Sequence, residues 1–162
     1  MVLRSISATA MPLCVMLSVL SLQAQEAKQK VTTSHASGPF EVKLTQQEDK
    51  TGPGIGRVIL DKKFHGELEA TSHGVMIFPT ETPKDTGGYV AIEIVSGTLA
   101  GHTGTFALQH SGTMIAGKSS LSILVVPGSG AGQLAGLAGK MNINISSDGK
   151  HSYDFEYSLP AR

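Results

Sequence analysis

The sequence has no tryptophan, a single cysteine and few charged residues for its length. The cysteine, Cys14, lies in an apolar run near the N-terminus, so the rest of the chain cannot form a disulfide within itself. The 13 basic and 13 acidic residues balance, and the basic ones are scattered along the chain. Because nucleic-acid binding needs a basic patch, we do not expect nucleic acid as a partner.

Signatures of common catalytic and metal sites are also missing. The chain has no H-E-x-x-H sequence, no pair of cysteine ligands and no G-x-S-x-G sequence, which argues against a zinc protease and an elbow-type serine hydrolase. His65 and His73 share one face of a predicted strand but lie about 26 Å apart in extended chain, too far to hold one metal ion. We predict no metal and no cofactor, and the sequence identifies no catalytic residue.

One segment, Gly112 to Ser119, matches the phosphate-binding pattern G-x-x-x-x-G-K-S. In a true phosphate-binding loop, the glycines expose backbone N–H groups and a helix follows, whose N-terminus favours the anion. Here the residues after Ser119 read as a strand, and Gly112 to Met114 continue the strand before the turn. We interpret the match as a hairpin turn and do not predict nucleotide binding.

The N-terminus has the order of features found in secretory signals. Arg4 precedes the apolar run Met11 to Leu22, and Ala24 supplies a small residue before the polar Gln25. The run is shorter than the roughly 20 residues that span a bilayer. We therefore expect a signal peptide over residues 1–24 and an exported protein, periplasmic or extracellular, with no membrane association after cleavage. A retained N-terminal anchor is the alternative.

Residues 25–37 are polar and without pattern, which predicts a disordered leader before a single domain at 38–160. Within that domain, about eight short runs alternate apolar and polar residues and are separated by Gly, Pro, Asn and Asp. Short turns between consecutive strands favour an antiparallel meander. The fold class is therefore predicted as all-β, a closed eight-stranded antiparallel barrel.

The apolar residues of each run are taken to mark the inner face of the barrel. On the fourth run, Val90, Ile92 and Ile94 share one face and Glu93 lies on the other. The run Leu121 to Val126 is apolar on both faces, so something must cover its outer face. A subunit interface is the natural candidate, which makes a homo-oligomer possible.

Three stretches together resemble an uncharacterised bacterial family, domain of unknown function 3224: FHGELEATS from Phe64, LQHSGTM from Leu108 and GKHSYDF from Gly149. The likeness covers roughly residues 37 to 159. It implies a closed eight-stranded barrel similar to allene oxide cyclases and dirigent proteins. No activity is established for that family, so the resemblance implies no functional residue.

The predicted inner face carries several polar-tipped side chains beside small ones, which makes a cavity for one small apolar or amphipathic ligand possible. The candidate cavity residues are His110, His151, Tyr153, Tyr157 and Ser72. The alternative is that both histidines are core residues hydrogen-bonded to tyrosine hydroxyls or to Ser72. Three functions stay open: an exported ligand-binding barrel, an isomerase or cyclase in the same cavity, and a structural protein that assembles through Leu121 to Val126.

Overall fold

The computed structural model describes residues 32–48 and 52–160. This part of the chain forms nine β-strands and no helix, which confirms the all-β prediction. The strands are β1 (Thr33–Gln47), β2 (Ile55–Phe64), β3 (Leu68–Pro79), β4 (Gly87–Leu99), β5 (His102–Ile115), β6 (Lys118–Val125), β7 (Ala131–Gly132), β8 (Ala138–Ile145) and β9 (His151–Ser158).

Eight of these strands close into one antiparallel barrel. The hydrogen-bonded order β4-β3-β2-β1-β9-β8-β6-β5 is closed by the pairing of β4 with β5. The two-residue β7 only adds a short pairing to β5 at Gly104 and Thr105. Every strand of the barrel therefore has two neighbours, and the predicted closed eight-stranded antiparallel barrel is confirmed.

The turn between β5 and β6 decides how the phosphate-loop match is interpreted. Ala116 and Gly117 both have positive φ, 49° and 76°, as in the tight turns that suit the twist of a β-hairpin. Gly112 pairs with Leu121 across this hairpin, so the first glycine of the match lies within a strand. Lys118 and Ser119 are already the first residues of β6, so the match lacks the helix that a phosphate-binding loop requires.

The first strand begins earlier than the sequence predicts, and this corrects the disordered leader at 25–37. Residues 33–37 pair with β9, where Ala36 faces Phe155 and is buried. Backbone hydrogen bonds to β9 order this polar segment, and such bonds leave no mark in a side-chain pattern. The predicted signal peptide and the rest of the leader up to residue 31 lie outside the described residues.

One end of the barrel is filled by a hydrophobic core. Phe64 packs edge-on against Tyr153 with ring centroids 5.6 Å apart, and Phe106 stacks on Phe155 at 5.9 Å. The connection between β7 and β8 adds Leu134, which is fully buried in the same core. This end of the barrel is therefore closed.

The other end is open. Several apolar side chains that alternate in step with the inner face are nevertheless exposed there, namely Leu44, Met114, Leu121 and Ile145. Strands β6 and β8 pair only at Leu124 and Lys140, so their ladder does not continue toward this end. The inner surface is accordingly accessible at the rim of the open end.

The predicted orientation of β4 is wrong. Val90, Ile92 and Ile94 are exposed on the outer face, whereas Glu93 is fully buried on the inner face. Alternation alone could not decide, because Ala91 and Val95 make the other face of this strand apolar as well. The orientation is decided by the partners that Glu93 meets inside the barrel.

Candidate functional site

A cluster of four polar side chains lies on the inner face of β2 to β5. Glu93 Oε1 accepts hydrogen bonds from Lys62 Nζ at 2.9 Å and from His110 Nε2 at 3.1 Å. Its other oxygen, Oε2, accepts one from Ser72 Oγ at 3.1 Å. All four residues are buried. We call them the buried charge cluster.

Strand register brings the four residues together. Lys62 faces Ser72 across β2 and β3, and the inner-face neighbour of Ser72, Gly74, faces Glu93 across β3 and β4. A Cβ atom on Gly74 would lie only 2.5 Å from Glu93 Cβ, so glycine leaves the room that the glutamate side chain needs. Each member therefore comes from a different strand.

The cluster is electrostatically compensated. Burial raises the pKa of Glu93, but the hydrogen bond from His110 and the positive charge of Lys62 outweigh it, so the pKa lies below its ordinary value. Lys62 Nζ also lies 5.6 Å and 5.7 Å from the ring centroids of Phe40 and Phe64. Glu93 is therefore ionised at neutral pH and pairs with an ammonium group in the interior.

The hydrogen bond to Glu93 sets the tautomer of His110. An ionised carboxylate can only accept, so the hydrogen lies on Nε2. Nδ1 has no hydrogen-bond partner within residues 32–48 and 52–160. In the neutral ring this nitrogen carries a free lone pair, which is the atom that a general base or a hydrogen-bond acceptor would use.

A groove of about 440 Å³ lies at the rim of the open end, beside the start of β4. It is lined by Gly54, Ile55, Ile77, Phe78, Pro79, Gly88, Tyr89, Val90, Ser111, Gly112 and Thr113. Most of these side chains are apolar or small. No member of the buried charge cluster lines the groove, so the two features are neighbours and not one cavity.

Tyr89 connects the groove with the cluster. Its ring covers Gly112, where an added Cβ would lie 2.3 Å from a ring carbon of the tyrosine. Burial raises the pKa of Tyr89, and the negative charge of Glu93 raises it further. Tyr89 therefore lines the groove, and the negative charge of Glu93 in the buried charge cluster acts on its phenol.

Residues 36–157 match the family model described as "Protein of unknown function (DUF3224)". The chain belongs to the DUF3224 family. The chain is similar to a DUF3224 protein of unknown function from Shewanella oneidensis MR-1, with 45% sequence identity. The crystal structure of that protein superposes on this chain with a TM-score of 0.74. That match covers 81% of this chain and 100% of the other. No curated protein matches the chain. The likeness to allene oxide cyclases stays a prediction.

The structure brings together two of the five residues predicted for a cavity in this DUF3224 barrel. Ser72 and His110 belong to the buried charge cluster, and the partner of His110 is Glu93, not a tyrosine hydroxyl. Tyr157 lies in the packed core. His151 is half-buried, with its ring 5.2 Å from that of Phe40.

The remaining candidate, Tyr153, has a structural role in the DUF3224 chain. Its hydroxyl accepts a hydrogen bond from the backbone N–H of Leu68 at 2.9 Å and donates one to the carbonyl of His65 at 3.1 Å. Both bonds hold the connection between β2 and β3 to β9. The tyrosine is therefore committed to the fold and presents no free polar tip to a ligand.

Sequence reasoning missed three residues of the site: Lys62, Glu93 and Tyr89. A signal existed for Lys62, which falls in step with the apolar Leu60 and Phe64 on β2. The sequence carries no such signal for Glu93, because the opposite face of its strand is the more apolar one. Within residues 32–48 and 52–160 no group of metal-ligating side chains is found. The same residues include no helix that could cross a membrane.

Proposed function

We propose that this DUF3224 barrel binds a small amphipathic molecule at its open end. The observation that carries the proposal is the apolar groove of about 440 Å³, whose wall includes Tyr89, a phenol whose pKa is raised by burial and by the charge of Glu93. Ligand sites are commonly apolar clefts of about 300–1,000 Å³ with a few polar groups that orient the ligand. The apolar body of the molecule would lie against Phe78 and Val90, with its polar group at the tyrosine hydroxyl.

The buried charge cluster supports a functional role for this end. A buried ion pair is seldom more stable than apolar side chains of the same volume, because both ions lose their hydration. Perturbed, buried titratable groups beside a cleft are accordingly candidates for functional residues. Here Glu93 carries such a shift, and its charge acts on Tyr89 in the wall of the groove.

The binding proposal predicts that filling the groove abolishes binding. Thr113→Trp places an indole ring in the groove, so we expect the affinity for 8-anilinonaphthalene-1-sulfonate to fall at least about tenfold, or about 1.4 kcal/mol. Thr71→Trp is the control, because Thr71 is also exposed but does not line the groove. Fluorescence titration measures both. If the wild type shows no saturable binding, or both variants bind as it does, the proposal is wrong.

A second candidate is an isomerase or cyclase that uses the same end of the barrel. The observation in its favour is the His110–Glu93 pair, in which the carboxylate orients the imidazole through Nε2, while Nδ1 has no hydrogen-bond partner among the described residues. An enzyme and a carrier are distinguished by what happens to a bound ligand. A carrier returns the molecule unchanged, whereas an enzyme returns an isomer of the same mass, and His110→Gln would stop only the conversion.

Export is part of the proposal and rests on residues 1–24 alone. Expression of the full chain in a secreting bacterial host should give a mature protein that begins at Gln25, because a basic, apolar and small-residue order directs cleavage after Ala24. N-terminal sequencing of the secreted fraction measures this. Intact Met1 in the membrane fraction would instead support the retained anchor.

A further inference from the structure

The outer surface of β2, β3 and β4 carries a continuous apolar area, which we call the outer apolar face. It consists of Ile59, Val75, Ile77, Val90, Ile92 and Ile94. Four of these side chains, those of Ile77, Val90, Ile92 and Ile94, are between 43% and 52% exposed. Contiguous exposed apolar area of this kind marks an interaction site on a soluble protein.

Strand register arranges this surface in three parallel rows. The upper row is Arg57, Ile77 and Val90; the middle row is Ile59, Val75 and Ile92; the lower row is Asp61, His73 and Ile94. The middle row continues through Gln109 on β5 to the exposed Leu124 on β6. The two outer rows therefore lie at equal distances on either side of a middle row that is apolar on β2, β3 and β4.

Two opposite charges on β2 lie on either side of the middle row, and Lys63 on β2 and Lys43 on β1, which faces Asp61, add positive charge near the lower row. Arg57 is exposed in the upper row, and no carboxylate in residues 32–48 and 52–160 pairs with it. Asp61 lies in the lower row, where it accepts a hydrogen bond from His73 at 2.7 Å and stays about half exposed. Ile59 separates the two charges symmetrically along the strand.

We infer that the outer apolar face binds a second copy of this chain. A two-fold axis along the middle row, in the plane of the contact, exchanges the upper row of one copy with the lower row of the other. Each Arg57 then lies opposite the partner's Asp61, Ile77 lies opposite the partner's His73, and Val90 lies opposite the partner's Ile94. The surface is complementary to itself, which is what a two-fold interface requires and a contact with an unrelated protein does not.

The same structure explains why the interface is not centred on Leu121 to Val126. On β6, Ile123 and Val125 are buried on the inner face, and Leu124 is the outward apolar side chain. A single leucine does not make a contact surface, whereas β4 presents three branched side chains in line. The oligomer expected from the sequence is therefore assigned to the outer face of β2 to β4.

Charge reversal tests the pairing. Arg57→Glu alone places two carboxylates opposite each other, and Asp61→Arg alone places two guanidinium groups opposite each other. We expect each variant to raise the dimer dissociation constant at least about tenfold at low salt. An equimolar mixture of the two variants should form a mixed dimer, because the carboxylate introduced at position 57 of one copy then faces the guanidinium introduced at position 61 of the other. Sedimentation velocity measures all three samples.

The control is Lys84→Glu, which reverses an exposed charge on the loop before β4 and should sediment as the wild type does. Thermal melts verify that Asp61→Arg, which loses its bond to His73, stays folded. A monomeric wild type, or a mixture that stays monomeric, overturns the inference, and a larger complex with another protein would assign the face to that partner. Ile77 and Val90 belong both to the groove and to the outer apolar face, so the proposed function is tested separately through Thr113, which lines the groove and is not part of that face.

Discussion

Lys62→Met should lower the free energy of unfolding by about 3–5 kcal/mol, because it leaves the carboxylate of Glu93 buried without its cation. The lysine is buried and donates to Glu93 at 2.9 Å, and methionine keeps most of its volume. Lys63→Met is the matched control, since the neighbouring lysine lies on the exposed outer face and should change stability by less than about 0.5 kcal/mol. Urea unfolding at pH 7 measures both.

The loss of unfolding free energy in Lys62→Met should be smaller at acidic pH. In the wild type the pKa of Glu93 is lowered, so its contribution to stability is present above the ordinary value of 4.5 and is lost as the pH falls through the folded pKa. Without Lys62, Glu93 takes up a proton at higher pH and ceases to be a buried charge. A second substitution, Glu93→Leu in the Lys62→Met chain, should recover part of the stability. Equal stability of Lys62→Met and Lys63→Met would show that the cluster is not buried.

His110→Glu should destabilise the barrel by several kcal/mol, since it places a second carboxylate beside Glu93 with only one lysine to compensate both. His102→Glu is the control on the same strand, where the imidazole is exposed. Its ring donates only to the carbonyl of Ala100, two residues earlier, whereas His73 donates to the carboxylate of Asp61, which lies on another strand. Thermal melts at pH 7 compare the variants. His151→Glu should have an intermediate effect, because its side chain is only half-buried.

The two histidine variants also test the assignment of faces on β5. If His110→Glu and His102→Glu have the same melting temperature, His110 does not face the interior and the buried charge cluster does not exist as described. His110→Gln supplies a further comparison, because its amide can still donate to Glu93 without adding charge. We expect it to keep most of the stability that His110→Glu loses.

Much of the fold could be predicted because strand alternation and turn residues are local properties. The inner face of β5 was predicted correctly, since Phe106 and Leu108 are in step with His110 and the opposite face is polar. The hairpin at Ala116 and Gly117 was likewise predicted from the strands that flank it. Where one face of a strand is clearly apolar and the other polar, the pattern is sufficient.

The candidate site could be predicted only in part. Ser72 and His110 were found, because both share a face with apolar residues on their own strands. Lys62 and Glu93 were missed, because a charge is assigned to the solvent side unless a partner for it is known. The partners lie 31 positions apart in the chain and meet only through the pairing of β2, β3 and β4.

The sequence by itself determined the class of the fold, the number of strands in the barrel and the turns, because each depends on residues close together in the chain. Only the tertiary structure decided the orientation of β4. Both faces of that strand carry enough apolar side chains to be inside, so the apolar pattern of the sequence alone does not distinguish them. Glu93 lies on the inner face because its charge is compensated there. Lys62 and His110, on two other strands, are in register to donate hydrogen bonds to its carboxylate.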